Sequence, residues 1–131
     1  MNQRLAHIAI IVDDYDKAIL YYTNVLNFEL IEDTVLSITK RWVLVKPSGS
    51  GTCSLLLAKA VGEEQKRFIG NQSGGRVFLF LHTDDFQKDY QMLINRKVEI
   101  VKEASEQEHG TVAVFKDIYG NLWDLIQPNH S

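Results

Sequence analysis

A chain of 131 residues with 45% hydrophobic and 24% charged content has the size of one globular domain, or of two small halves sharing a core. Its net charge of -3, with no run of Lys or Arg, excludes an electrostatic nucleic-acid face. The single Cys53 excludes an internal disulfide and fits a reducing compartment; no stretch nears the roughly 18 apolar residues of a membrane span, so the chain is expected in the cytoplasm and off the membrane.

Residues 4–12 (RLAHIAIIV) are β-branched-rich and too short for a lone helix, which predicts a strand buried on both faces. Alternation sets Leu5, His7, Ala9 and Ile11 on one face and Ala6, Ile8, Ile10 and Val12 on the other. Asp13 or Asp14 then caps a helix by accepting from its first-turn N–H groups. Tyr15, Ala18, Ile19, Tyr22, Val25 and Leu26 recur at three- and four-residue steps as one apolar stripe. Asn27 stands where a helix closes in the left-handed region. Strands are expected at residues 28–32, 41–46 and 53–58, the last two separated by the turn Pro47-Ser48-Gly49-Ser50-Gly51.

Residues 60–75 (AVGEEQKRFIGNQSGG) break this pattern and read as a connector, with a short helical turn inside it. The plan then repeats: a strand over 76–83, a helix capped by Asp84 or Asp85 carrying Phe86, Tyr90 and Leu93, and strands over 98–102, 111–116 and 122–127. Asp13-Asp14-Tyr15 meets Asp84-Asp85-Phe86 at an offset of 84 − 13 = 71. Phe28-Glu29-Leu30-Ile31 meets Val98-Glu99-Ile100-Val101 at 98 − 28 = 70. One-residue slips at turns are cheap, so the chain reads as an internal βαβββ repeat. The expected division is a first module over 1–59, a connector over 60–75 and a second module over 76–131.

HIAIIVDDYDKAILYYTNVLNF and the closing FKDIYGNLWDLIQP resemble the two ends of the vicinal oxygen chelate superfamily, which comprises the glyoxalase I, bleomycin-resistance and extradiol dioxygenase proteins. The resemblance covers nearly the whole chain. It implies an α+β fold in which two βαβββ modules form a curved mixed-sheet cup, helices on the convex side and ligand in the hollow. It also implies a homodimer. In metal-using members one residue from the first and last strand of each module faces that cup. Carried over by position, these are His7, Leu55, Phe78 and Asp124. His7 matches the family histidine; Asp124 replaces the usual glutamate; Leu55 and Phe78 cannot ligate a metal.

Strand parity extends the expected lining to Cys53, Leu55 and Leu57, to Phe78, Phe80 and His82, and to Leu122, Asp124 and Ile126. The result is an apolar and aromatic hollow with few polar groups, the usual make-up of a small-molecule pocket. A catalytic metal site needs three protein ligands, and His7 and Asp124 supply two. His82 lies four residues beyond Phe78, about 13 Å along the strand, too far to join the same ion. His109 sits in a polar loop, and His130 in the tail. His7 and Asp124 read equally as a packing pair or as an acid–base couple. Core packing is the simpler reading for Phe78, Phe80, Trp42 and Trp123, with Trp42 and Phe78 the first candidates for stacking on a ligand. Arg41 reads as a solvated strand-end residue before an anion contact, and Cys53 as an inert packed thiol.

The function expected is the holding of a small, largely apolar organic molecule between the two modules. The candidate pocket residues are Trp42, Leu55, Phe78, Phe80, His82 and Leu122, with His7 and Asp124 as the polar pair. The competing expectation is a lyase, isomerase or dioxygenase of the glyoxalase type, using a divalent metal on His7 and Asp124 to polarise a substrate oxygen. A purely structural dimerisation module is the third.

Overall fold

The computed structural model describes residues 1–129. They form two compact units, Met1–Ile69 and the described residues from Gly70 onward, divided inside the stretch expected as a connector. Each unit is a four-stranded mixed sheet with helical cover.

The first unit runs β1 (His7–Val12), α1 (Tyr15–Leu20), a π-helical turn (Tyr21–Val25), β2 (Glu29–Val35), β3 (Arg41–Lys46), β4 (Ser54–Lys59) and the short α2 (Gly62–Lys66). Its strand order is β1-β4-β3-β2, with β1 and β4 parallel and the other pairs antiparallel. The second unit runs β5 (Val77–His82), α3 (Phe86–Asn95), β6 (Glu99–Gln107), β7 (Gly110–Lys116) and β8 (Leu122–Pro128). Its order is β5-β8-β7-β6, the same topology. The chain is thus α+β, built of two βαβββ modules.

The repeat reaches fine detail. Asp14 caps α1 by accepting from Lys17 N at 2.9 Å, and Asp85 caps α3 by accepting from Lys88 N at 3.2 Å. Asn27 and Lys97 both take φ 61°, seventy residues apart (97 − 27 = 70). The sheet register slips between Leu30 and Glu32 in one module and between Ile100 and Lys102 in the other. Glu29 pairs with Lys46 at 3.0 Å, and Glu99 with Lys116 at 3.7 Å.

Each module buries one sheet face under helix. In the first, Ile10, Val12, Val43, Val45 and Leu57 from the strands meet Ala18 and Tyr22 from the helix, all fully buried. In the second, Phe86 and Leu93 of α3 join buried Ala113, Phe115, Trp123 and Leu125. Burial of each large side chain contributes about 1.5–3 kcal/mol.

Three elements differ from expectation. The regular apolar stripe after Leu20 gives way to the π turn, whose wider spacing brings adjacent Tyr21 and Tyr22 both into the core. Their rings meet edge to face at 5.4 Å, and Tyr22 stacks on Phe28 at 5.9 Å. Strands β2 and β6 continue past residues 32 and 102, to Val35 and Gln107. Both are outer strands, and their solvent-facing residues carry no alternation to announce the extra length.

Candidate functional site

In register, β1 sets His7 opposite Ser54, Ile8 opposite Leu55, Ala9 opposite Leu56 and Ile10 opposite Leu57. Paired residues share a face. Leu55 therefore lies with Ile8 and Ile10 on the helix-covered side, where it is buried. This overturns the expectation that Leu55 and Leu57 share the face of His7. The run CSLLLA fixes the strand but not its phase, and a one-residue offset exchanges the faces. Cys53 precedes β4 and is exposed, not a packed thiol.

The face opposite the helix carries His7, Ala9, Ser54 and Leu56, with Leu44 beside Leu56 in β3. Trp42, two residues from Leu44, lies on it too. His7 Nδ1 is 2.7 Å from Ser54 Oγ, and that hydroxyl donates to the Ala6 carbonyl at 3.4 Å. With the hydroxyl proton on the Ala6 carbonyl, Nδ1–H donates to Oγ and Nε2 keeps the lone pair; in the other tautomer the hydroxyl donates to Nδ1. The Trp42 ring stands edge-on to His7, centroids 6.0 Å apart at 80°. Ser54 is thus the polar partner of His7. Sequence reasoning passed over it, and the correct β4 phase was the signal that would have found it.

Trp42 also borders a hollow of about 910 Å³ formed within the first unit. Its wall includes Tyr15, Leu56, Ala58, Val61 and Ile69, with Asp13, Lys40, Arg41, Lys59 and Lys66 as charged members. The connector supplies much of this wall through α2 and the residues around it. Arg41 is not a solvated end residue. Its Nε and Nη2 reach Asp33 at 3.1 and 2.7 Å, its Nη1 reaches Asp16 at 3.0 Å, and its guanidinium lies 5.1 Å over the Tyr15 ring. The hydrogen bonds from Arg41 hold the Asp33 carboxyl below its ordinary range, against the opposing effect of desolvation. The same bonds push the Arg41 guanidinium higher still.

In the second unit Asp124 pairs with Phe80 across β5 and with Val114 across β7, and Val114 pairs with Lys102. These four share one face. Burial raises the Asp124 carboxyl, while the charges of Lys102 and His109 pull it down. His82 pairs with Ile126, two residues further along that face, and Leu122 pairs with Val77. Phe78 falls at a register irregularity between Val77 and Leu79 and is half-buried. Phe80 is 62% exposed, whereas Trp123 is 2% exposed on the helix-covered side. His130 lies outside the described residues.

Between β7 and β8, buried Asp117 organises the turn. Its Oδ1 accepts from the backbone N–H of Tyr119, Gly120 and Asn121 at 2.9 to 3.1 Å. Its Oδ2 accepts from Asn121 Nδ2 and Trp123 Nε1, each at 3.0 Å. The closing motif DIYGNLW is thereby a folding device: one carboxylate fixes the turn and anchors the indole beneath the sheet.

Residues 4–125 match the Glyoxalase/Bleomycin resistance protein/Dioxygenase superfamily. The chain belongs to that superfamily. Among its relatives, a protein of Shewanella frigidimarina (strain NCIMB 400) is 57% identical over 130 residues, covering 98% of this chain and 96% of the relative. YurT of Bacillus subtilis (strain 168) is 33% identical over 124 residues, covering 91% of this chain and 94% of YurT. The solved structure of UcmS2 superposes with a TM-score of 0.82 at 30% identity, over 96% of this chain and 98% of UcmS2. TnmS3, an antibiotic binding protein from Streptomyces sp. CB03234, gives a TM-score of 0.77 at 27% identity, over 98% of each chain.

The four positions that the family resemblance offered for a metal, His7, Leu55, Phe78 and Asp124, do not make up a donor set that fits a catalytic ion. Two of the four are hydrocarbon, and one of those, Leu55, is turned into the core. Among the described residues no three His, Cys, Asp or Glu side chains come together in a group able to hold a metal. Of the expected pocket residues only Trp42 borders the hollow. Phe78, Phe80, His82 and Leu122 belong to the second unit.

Proposed function

We propose that this chain is a binding protein that holds a small, largely apolar organic molecule without transforming it. The observation that carries the reading is the hollow beside Trp42. Its volume of about 910 Å³ lies in the range of small-molecule sites, roughly 300–1,000 Å³. Trp42, Leu56, Ala58, Val61 and Ile69 supply apolar wall, and Trp42 offers a rigid aromatic surface at low entropic cost. The likeness to TnmS3, itself an antibiotic binding protein, supports this class of function over a purely structural module. Metal-assisted chemistry is the less supported alternative, since it asks for donors that the described residues do not assemble. A homodimer in the cytoplasm completes the proposal, and sedimentation of the purified chain tests the assembly.

Isothermal titration with 2-naphthalenemethanol, a neutral aromatic probe, tests the binding itself. Saturable binding weakened about tenfold by Trp42→Ala is the expected result, in line with the loss of one aromatic contact and its buried area. Absence of binding, or binding indifferent to Trp42→Ala, overturns it. Stoichiometric tight binding of zinc or manganese that His7→Ala abolishes would move the assignment to the metal-assisted reading.

A further inference from the structure

The charged members of the hollow are unequal once their partners are counted. Arg41 is held by Asp33 and Asp16, and Lys66 lies 3.7 Å from Glu63. Asp13, the acidic member, is met by Lys17 at 2.9 Å. Lys40 and Lys59 remain: among the described residues no carboxylate forms an ion pair with either. Lys59 ends β4 and pairs with Val12 at the end of β1. Lys40 immediately precedes β3, and both lysines border the hollow. Two cations without a carboxylate partner therefore border a chamber whose wall also carries Trp42, Leu56, Val61 and Ile69.

A chamber with that polarity discriminates among the molecules it could hold. A neutral apolar guest uses only the Trp42 side and leaves both ammonium groups facing water. A guest with an acid group adds charge-assisted hydrogen bonds at no cost in apolar contact. Resting on the binding reading above, we infer that the ligand class is an organic acid: its apolar body lies against Trp42, Leu56 and Ile69, and its carboxylate or phenolate is met by Lys40 and Lys59. Neither lysine belongs to the positions the superfamily uses for metal.

Titration of the full chain with 2-naphthoate and with 2-naphthalenemethanol, two probes sharing one ring system, separates this inference from the reading beneath it. The acid is expected to bind at least about tenfold tighter at low salt, with the gap narrowing as salt is raised. The double variant Lys40→Met/Lys59→Met should erase the gap and leave the alcohol's affinity unchanged, while Lys88→Met on α3 should leave both alone. Thermal melts establish that each variant is folded. Equal binding of the two probes, or a gap that survives in the double variant, overturns the organic-acid inference and leaves the binding function standing. If neither probe binds, the binding function fails and the inference falls with it.

Discussion

His7 and Ser54 face each other across the parallel β1–β4 pair, ring nitrogen to hydroxyl at 2.7 Å. Ser54 is 5% exposed while its partner lies open on the uncovered face, so the hydroxyl acts as a fixed post that orients a movable ring. Ser54→Ala removes the hydroxyl partner of Nδ1, which is an acceptor where the ring carries Nδ1–H. The His7 ring nitrogens, read by ¹⁵N chemical shifts, should then leave the Nδ1–H form. Urea unfolding should show a loss of about 1 kcal/mol, the typical net worth of one such bond. An unchanged tautomer would show that the hydroxyl donates to the ring instead.

Gly62 and Gly70 share one backbone angle, φ 76°, and differ in surroundings. A Cβ on Gly62 meets nothing within 4 Å, whereas one on Gly70 would lie 1.8 Å from the Tyr119 carbonyl oxygen. Gly62→Ala should cost only the left-handed penalty, about 1–2 kcal/mol. Gly70→Ala should cost that amount and a further 1–3 kcal/mol or so for displaced backbone. The difference in urea midpoints isolates the steric part; equal losses would deny the close approach of Gly70 to the 119–120 turn.

The architecture was largely legible because the chain states it twice. The Asp14 and Asp85 caps, the paired strands and the offset near 70 residues all rest on local signals: an acidic residue before a helical stripe, and an apolar run between turn residues. Phase was harder. Leu55 opens the apolar run LLLA after Ser54, whose composition is compatible with either face, and only the partner strand decides between them. Lys97 repeats the left-handed turn of Asn27 without a residue type that advertises it. The hollow was invisible for another reason. Its wall is partly made by residues 60–69, which carry no strand or helical period strong enough to place them, although they fold back beside Trp42.

Asp117 holds one turn through both carboxylate oxygens, and that makes it sensitive to a change of a single atom. Asn can present only one acceptor oxygen; its NH₂ would confront either the backbone N–H cluster or the donors Asn121 Nδ2 and Trp123 Nε1. A buried donor left without an acceptor costs roughly 1–3 kcal/mol. Asp117→Asn should therefore destabilise the protein by about 3 kcal/mol and shift Trp123 emission to the red as its indole loosens. A variant with wild-type stability would reduce the carboxylate to one contributor among many in forming this turn.

Asp124 makes stability depend on pH in the direction opposite to most carboxylates. Burial raises its titration in the folded protein above the ordinary aspartate value, with Lys102 and His109 opposing. Between the unfolded value, about 3.9, and the raised folded one, the folded chain binds more protons. Stability contributed by this group is thus present at the acid end and lost as pH rises through that window. Asp124→Asn should remove this component, so that the variant gains on wild type at pH 7 relative to the comparison at pH 3.5. Lys102→Met should push the carboxyl higher still, because it deletes an opposing charge, and ¹³C titration of the labelled Asp124 carboxyl reads the shift directly. A midpoint at or below the ordinary aspartate value would mean that the two cations outweigh burial, and the sign of the pH effect would reverse.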